Sequence, residues 1–104
     1  MEIQYLKSSD GKSLLIKVTG DCDLYSFREF FAGIAGKITN GCFSRTILDL
    51  SGVAYLDSSG VGAIIRIIRL AKEKQTSLKF RGIGGTPRKV LDMSNILSLI
   101  IEDR

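Results

Sequence analysis

The sequence predicts an α/β fold: one mixed β-sheet opened by an N-terminal hairpin, with helices packed on it. Three observations lead there. Two short runs at the start are joined by Ser8-Ser9-Asp10-Gly11, and Asp-Gly between such runs is a hairpin signal. Beyond it the apolar pattern alternates between strand-like and helix-like periods, which gives the order ββαβαβα and a tail. A hairpin followed by alternating strands and helices forms a mixed sheet flanked by helices. The chain has 104 residues, one core's worth, so residues 1–104 read as a single domain.

Each element has its own signal. Ile3, Tyr5 and Lys7 alternate with other residues as a first strand. Leu14 to Val18 form a second, ended by Gly20. Residues 24–38 read as a helix, because Leu24, Phe27, Phe31, Ile34 and Ile38 recur three and four apart. Asp23 is placed to cap its start, and Asn40-Gly41 to stop it. Thr46 to Leu50 is a strand with no polar face, as suits a central strand covered by helices. From Asp57 a helix runs to Lys74, with Val61, Ile64, Ile65, Ile68 and Ala71 on one face. Leu78 to Arg81 alternate as a fourth strand. Gly82 to Gly85 turn the chain, and Thr86-Pro87 start a helix with Pro at its first position, carrying Val90, Leu91 and Met93. Ile96 to Ile101 fits either a strand or a short helix.

Composition removes several functions. There is no histidine, hence no imidazole base, no Ser–His–Asp or Cys–His triad and no His-ligated metal. Two cysteines, Cys22 and Cys42, cannot fill a tetrahedral zinc site, and a chain with this apolar content needs no disulfide; they read as reduced, half-buried thiols. No cofactor or metal is expected. The first residues lack a basic start followed by a long apolar run, and no stretch reaches the roughly 20 apolar residues of a membrane span. The expected location is cytoplasmic, with no membrane partner.

The informative segment is Leu48-Asp49-Leu50-Ser51 followed by Leu56-Asp57-Ser58-Ser59-Gly60-Val61-Gly62. Physically it is a buried strand, a loop and a helix start rich in small residues. The free N–H groups and positive dipole end of a helix favour an anion there. A phosphoserine would be better tolerated in that first turn than elsewhere. Ordinary capping by Asp57, Ser58 and Ser59 accounts for the same residues.

These segments, with Val18-Thr19-Gly20-Asp21-Cys22-Asp23-Leu24 and Val90-Leu91-Asp92-Met93-Ser94-Asn95-Ile96, resemble the STAS domain of bacterial anti-sigma factor antagonists over nearly the whole chain. The resemblance implies a STAS-like fold and partner switching. The unphosphorylated antagonist binds an anti-sigma factor with serine kinase activity and frees a sigma factor. Phosphorylation releases the antagonist, and a PP2C-type phosphatase resets it. The modified serine of the family corresponds to Ser59. Asp23 and Asp57 match acidic positions near the modified residue, and Ser58, Gly60, Gly62, Ala63 and Ile67 complete the expected neighbourhood and partner interface. The protein is then no enzyme. The alternative is a STAS module of another assembly, a stressosome-like complex or a lipid-transport subunit.

Three features carry two readings each. Ala63, Ile67 and Leu70 form a second apolar stripe on the Val61–Lys74 helix: either a wide core contact or a partner surface beside Ser59. Gly82-Ile83-Gly84-Gly85 resembles a phosphate loop but lacks the Lys-Ser/Thr ending, which leaves a turn before a helix. The formal charge is +4, unevenly placed: net −1 over residues 1–60, +7 over 61–90 and −2 over 91–104. Arg66, Arg69 and Lys72 share a helix face. That is either a solvated face or a docking site for an acidic protein patch. No aromatics interleave with it in sequence, and no nucleic-acid motif is present, so no direct nucleic-acid contact is expected.

Overall fold

The alternating runs at the start pair as the Asp-Gly signal requires. The computed structural model describes residues 1–41 and 43–103. In it β1 (Glu2–Lys7) and β2 (Ser13–Thr19) form an antiparallel hairpin, with Tyr5 opposite Ile16. The turn closes through Gly11 N–H donating to the Ser8 carbonyl at 3.0 Å, while Asp10 Oδ1 accepts from the Ser8 hydroxyl at 2.6 Å. Helix α1 (Phe27–Asn40) then leads to β3 (Arg45–Gly52), α2 (Ser58–Glu73) to β4 (Ser77–Arg81), and α3 (Gly85–Met93) to a 3₁₀ turn at Leu97–Leu99. The sheet order is β1-β2-β3-β4, with β2–β3 and β3–β4 parallel. The mixed sheet and its three helices are those expected.

Strand alternation decides which face is core. Ile16, Leu48 and Phe80 lie side by side in register and are each at most 1% exposed. Phe30 and Ile34 of α1, Ile64 and Ile67 of α2, and Leu91 of α3 complete the cluster. The opposite face carries Lys17, Asp49 and Arg81 in one row. Asp49 on that face is only 8% exposed, and its Oδ1 accepts from Ser51 N–H at 2.9 Å.

Several local readings change. Helix α1 begins at Phe27, three residues after the expected start, with Ser26 at its N-cap position. Leu24, assigned to its apolar face, is 62% exposed, and the buried positions are Phe30, Ile34 and Ile38. Helix α3 begins at Gly85, so Pro87 occupies its third position; the missing N–H is harmless there too, because first-turn N–H groups lack helical acceptors. The Ile96–Ile101 segment is neither a full strand nor a longer helix. It makes one 3₁₀ turn, after which the tail pairs with the β4 edge: Phe80 N–H donates to Ile101 O at 2.8 Å and Asp103 N–H to Phe80 O at 2.7 Å. Arg81 then meets Asp103 at 2.6 Å, and Arg88 forks onto Glu102 at 2.8 and 3.1 Å. Cys22 is fully buried, not half-buried. The reading of Cys42 lies outside the described residues.

Candidate functional site

The parallel pairing of β2 with β3 brings the segments after both strands to one end of the sheet. Gly20 N–H donates to Gly52 O at 3.0 Å, Cys22 N–H to Tyr55 O at 3.0 Å and Asp57 N–H to Cys22 O at 3.2 Å. Two loops, 20–26 and 53–57, are thereby laced together where α2 begins.

Asp57 is the joint between them. It is the N-cap of α2, as its position before two serines suggests. Its Oδ1 accepts from Ser59 N–H at 2.9 Å and Gly60 N–H at 3.1 Å, and its Oδ2 from Leu24 N–H at 3.1 Å. Both oxygens are used, one on its own helix and one on the opposite loop. Asp23 serves the loop instead of capping α1 directly. Its Oδ1 accepts from Tyr25 N–H at 3.0 Å and Ser26 N–H at 3.1 Å, and the Ser26 hydroxyl donates to Asp21 O at 2.6 Å. A carboxylate bonding the backbone two and three residues on is turn chemistry. Neither arrangement is an acid–base pair, since each carboxylate is spent on backbone N–H groups.

Ser58 and Ser59 are the first two residues of α2. Ser58 is exposed and Ser59 half-buried. Gly60 faces inward. A Cβ there would sit 2.5 Å from the Cys22 carbonyl oxygen and 2.5 Å from Leu56 Cδ1, so only glycine permits this approach of helix to loop. Gly62 faces outward, with nothing within 4 Å of where its Cβ would lie. Beneath the site the Cys22 thiol is pushed up to about 12 by burial first and then by Asp57 and Asp23, which makes it a packing group and no nucleophile.

Ala63 and Ile67 are corrected as partner-surface residues. They are 2% and 0% exposed, because α2 packs against α1 as well as the sheet. The second apolar stripe is the wide core contact. Exposed apolar side chains beside Ser59 come instead from the loops: Leu24 at 62%, Tyr25 at 93% and Tyr55 at 46%. The helical periodicity drew Leu24 into the core. The competing signal was Asp23 followed three residues later by Ser26, a turn that delays the helix and turns Leu24 and Tyr25 outward.

The basic residues of 61–90 divide. Arg81 and Arg88 pair with the acidic tail. Arg66, Arg69 and Lys72 stay exposed on α2, and Arg66 lies 4.2 Å from the Phe31 ring centroid. The tertiary fold thus supplies an aromatic neighbour that the local sequence lacks. Among the described residues, no helix is long and apolar enough to cross a membrane.

Known proteins share this fold. A family model described as "Mlab, STAS domain" matches residues 6–101. A STAS-domain containing protein of Pseudomonas aeruginosa (strain UCBPP-PA14) is 30% identical over 102 residues, 95% of this chain and 96% of its own length. An anti-sigma F factor antagonist of Lysinibacillus sphaericus is 26% identical over 85 residues, 82% of this chain and 73% of its own. The unphosphorylated form of the anti-sigma factor antagonist SpoIIAA has the same fold, at TM-score 0.78 and 20% identity over 99% of this chain and 89% of that one. Its Bacillus counterpart in the phosphorylated form gives 0.71 at 20% identity, over 99% and 92%. With the matching model spanning nearly every residue from β1 to the tail, the chain belongs to the STAS-domain family.

Proposed function

We propose that this chain is an anti-sigma factor antagonist. Unphosphorylated, it binds an anti-sigma factor that is also a serine kinase, and so frees a sigma factor. The kinase phosphorylates Ser59, the complex separates, and a PP2C-type phosphatase restores the binding form. The chain itself works in the cytoplasm, is acted upon and catalyses nothing. The observation that carries this reading is the Asp57-Ser58-Ser59 start of α2, held in place by the three backbone bonds of Asp57, with exposed Leu24, Tyr25 and Tyr55 on the two loops laced to it. It combines a reachable hydroxyl with an apolar rim of the kind that contributes binding energy.

The electrostatics support release. A phosphate adds about −1.5 to −2 charges at pH 7. At the N-terminus of α2 the dipole offsets part of that, so the fold survives it. A bound interface that already contains Asp57 and Asp23 takes on repulsion and a desolvation cost. A coupling of about 3 kcal/mol weakens binding roughly a hundredfold. The names of the relatives agree, one being an anti-sigma F factor antagonist and another having a structure in a phosphorylated form.

One observation favours the alternative, a STAS module of another assembly: the matching family model is the one described as Mlab. Incubation with anti-sigma factor kinases and ATP, read by intact mass and peptide mapping, separates the two. A gain of one phosphate on the Ser59 peptide is expected. A phosphate that maps to peptides lacking Ser59, or none with any kinase, overturns the proposal.

A further inference from the structure

Ser59 is not alone on its face of α2. At 3.6 residues per turn, Ser59, Gly62, Arg66 and Arg69 fall on one stripe, which ends at Glu73. Gly62 has no side chain and open space above it, so a partner backbone or side chain can approach the helix between the serine and the arginines. Arg66 is exposed, yet its guanidinium lies over the Phe31 ring of α1, 4.2 Å from the centroid. A guanidinium stacked on an aromatic ring has lost much of its freedom before any partner arrives, which lowers the entropic cost of binding through it. Lys72 lies exposed at the flank of the stripe. At the other end stand the carboxylates of Asp57 and Asp23, both engaged with backbone N–H groups. Along the helix the surface therefore runs from acidic at the loops to basic past Gly62.

We propose that the Ser59–Gly62–Arg66–Arg69 stripe docks an acidic segment of the anti-sigma factor, and that phosphorylation of Ser59 acts in part by cancelling the positive charge of this stripe. Complementarity selects the occupant: the exposed arginines call for carboxylates, and stacked Arg66 presents a fork suited to them. Spacing supplies the switch. Seven residues at 1.5 Å each place Ser59 about 10 Å along the axis from Arg66, close to the Debye length at 0.1 M salt and somewhat beyond the ~8 Å of physiological salt, so the interaction is attenuated there and strengthens as salt is lowered. A dianion there offsets part of the positive charge of the stripe for any acidic partner lying along the helix, Arg66 more than Arg69, which is about 15 Å away. This rests on the function proposed above and goes beyond it by naming the partner's chemistry and the face that reads it.

The test compares affinities for whichever kinase labels Ser59. Arg66→Glu/Arg69→Glu is set against Lys12→Glu/Lys89→Glu, the same change of net charge at exposed positions elsewhere. The arginine pair is expected to weaken binding at least about tenfold and the lysine pair by less than about twofold, because only contacts near the interface feel the change. Wild-type affinity is expected to fall steeply from low to high salt. Arg66→Gln/Arg69→Gln serves if the reversed pair fails to fold, with a smaller loss in the same direction. Equal losses for the two pairs, or an affinity flat in salt, overturn the inference while labelling at Ser59 leaves the function standing. Absence of any complex overturns both. Binding of duplex or single-stranded DNA through Arg66 and Arg69, with no effect of either on the kinase, would assign the stripe to nucleic acid and overturn the docking proposal.

Discussion

Asp57 accepts N–H groups from two segments that are remote in sequence, and Gly60, three residues further on, allows those segments to touch. The consequences are measurable one residue at a time. Asp57→Ala leaves the N–H groups of Ser59, Gly60 and Leu24 without their acceptor; a lost N-cap costs about 1–2 kcal/mol in chemical denaturation, and the loop bond adds to it. Gly60→Ala forces a Cβ into the Cys22 carbonyl and is expected to cost about 1–3 kcal/mol, whereas Gly62→Ala meets nothing and is expected to stabilise by about 0.5–1 kcal/mol. A Gly60→Ala protein as stable as wild type would show that the close approach of helix and loop is wrong. Cys22 gives a pH test. Its folded value is raised from 9.0 to about 12, so the unfolded chain releases a proton that the folded chain keeps. Its contribution is complete below pH 9 and is lost as pH rises from there toward 12. The stability advantage of wild type over Cys22→Ala should shrink by up to about 1.4 kcal/mol per pH unit in that window; a constant difference across it contradicts the burial of this thiol.

At the scale of elements, α2 shows what a sequence can and cannot tell. Its start was legible, because Asp-Ser-Ser-Gly after an apolar strand and loop is a cap with a mechanism. Its two apolar stripes were legible as well, but not what covers them, since a helix buried by a sheet and a second helix has the same composition as one awaiting a partner. The fold resolves it: Ala63 and Ile67 are core. Ile67→Ala is therefore expected to cost about 2–5 kcal/mol of stability, the range for a fully buried large-to-small change. A loss under about 0.5 kcal/mol, typical of a surface position, would return Ile67 to the surface. Helix α1 went the other way. Leu24 keeps the helical spacing of Phe27 and Phe31, yet the Asp23–Ser26 turn starts the helix late and leaves Leu24 and Tyr25 in solvent. Periodicity places side chains only after the chain has become helical, and local side-chain-to-backbone bonds decide where that happens. The tail was ambiguous for a further reason: its pairing to β4 is a contact between segments some 20 residues apart, and the pattern of residues 96–101 holds no trace of it.

For the whole molecule, the order of strands and helices was readable because the hairpin signal and the switches of period are local, and the rest of the topology follows from parallel pairing. Charge was readable only as a sum per segment. Folding redistributes it. The acidic tail takes Arg81 and Arg88 out of the basic block, and exposed Arg66 and Arg69 of α2 line up with Ser59. What looked like a basic half behind the serine is a basic stripe continuous with it. The proposed docking face is composite, made of the 20–26 and 53–57 loops and the outer side of α2, and a single added phosphate is expected to offset part of its positive charge.

Release by a phosphate on Ser59 is the central claim, and one measurement addresses it directly: the affinity of one anti-sigma factor for the unphosphorylated chain and for the chain phosphorylated on Ser59, at the same ionic strength. The phosphorylated form is expected to bind about a hundredfold more weakly, a coupling of about 3 kcal/mol, with its fold unchanged by circular dichroism. Equal affinities of the two forms would contradict the account.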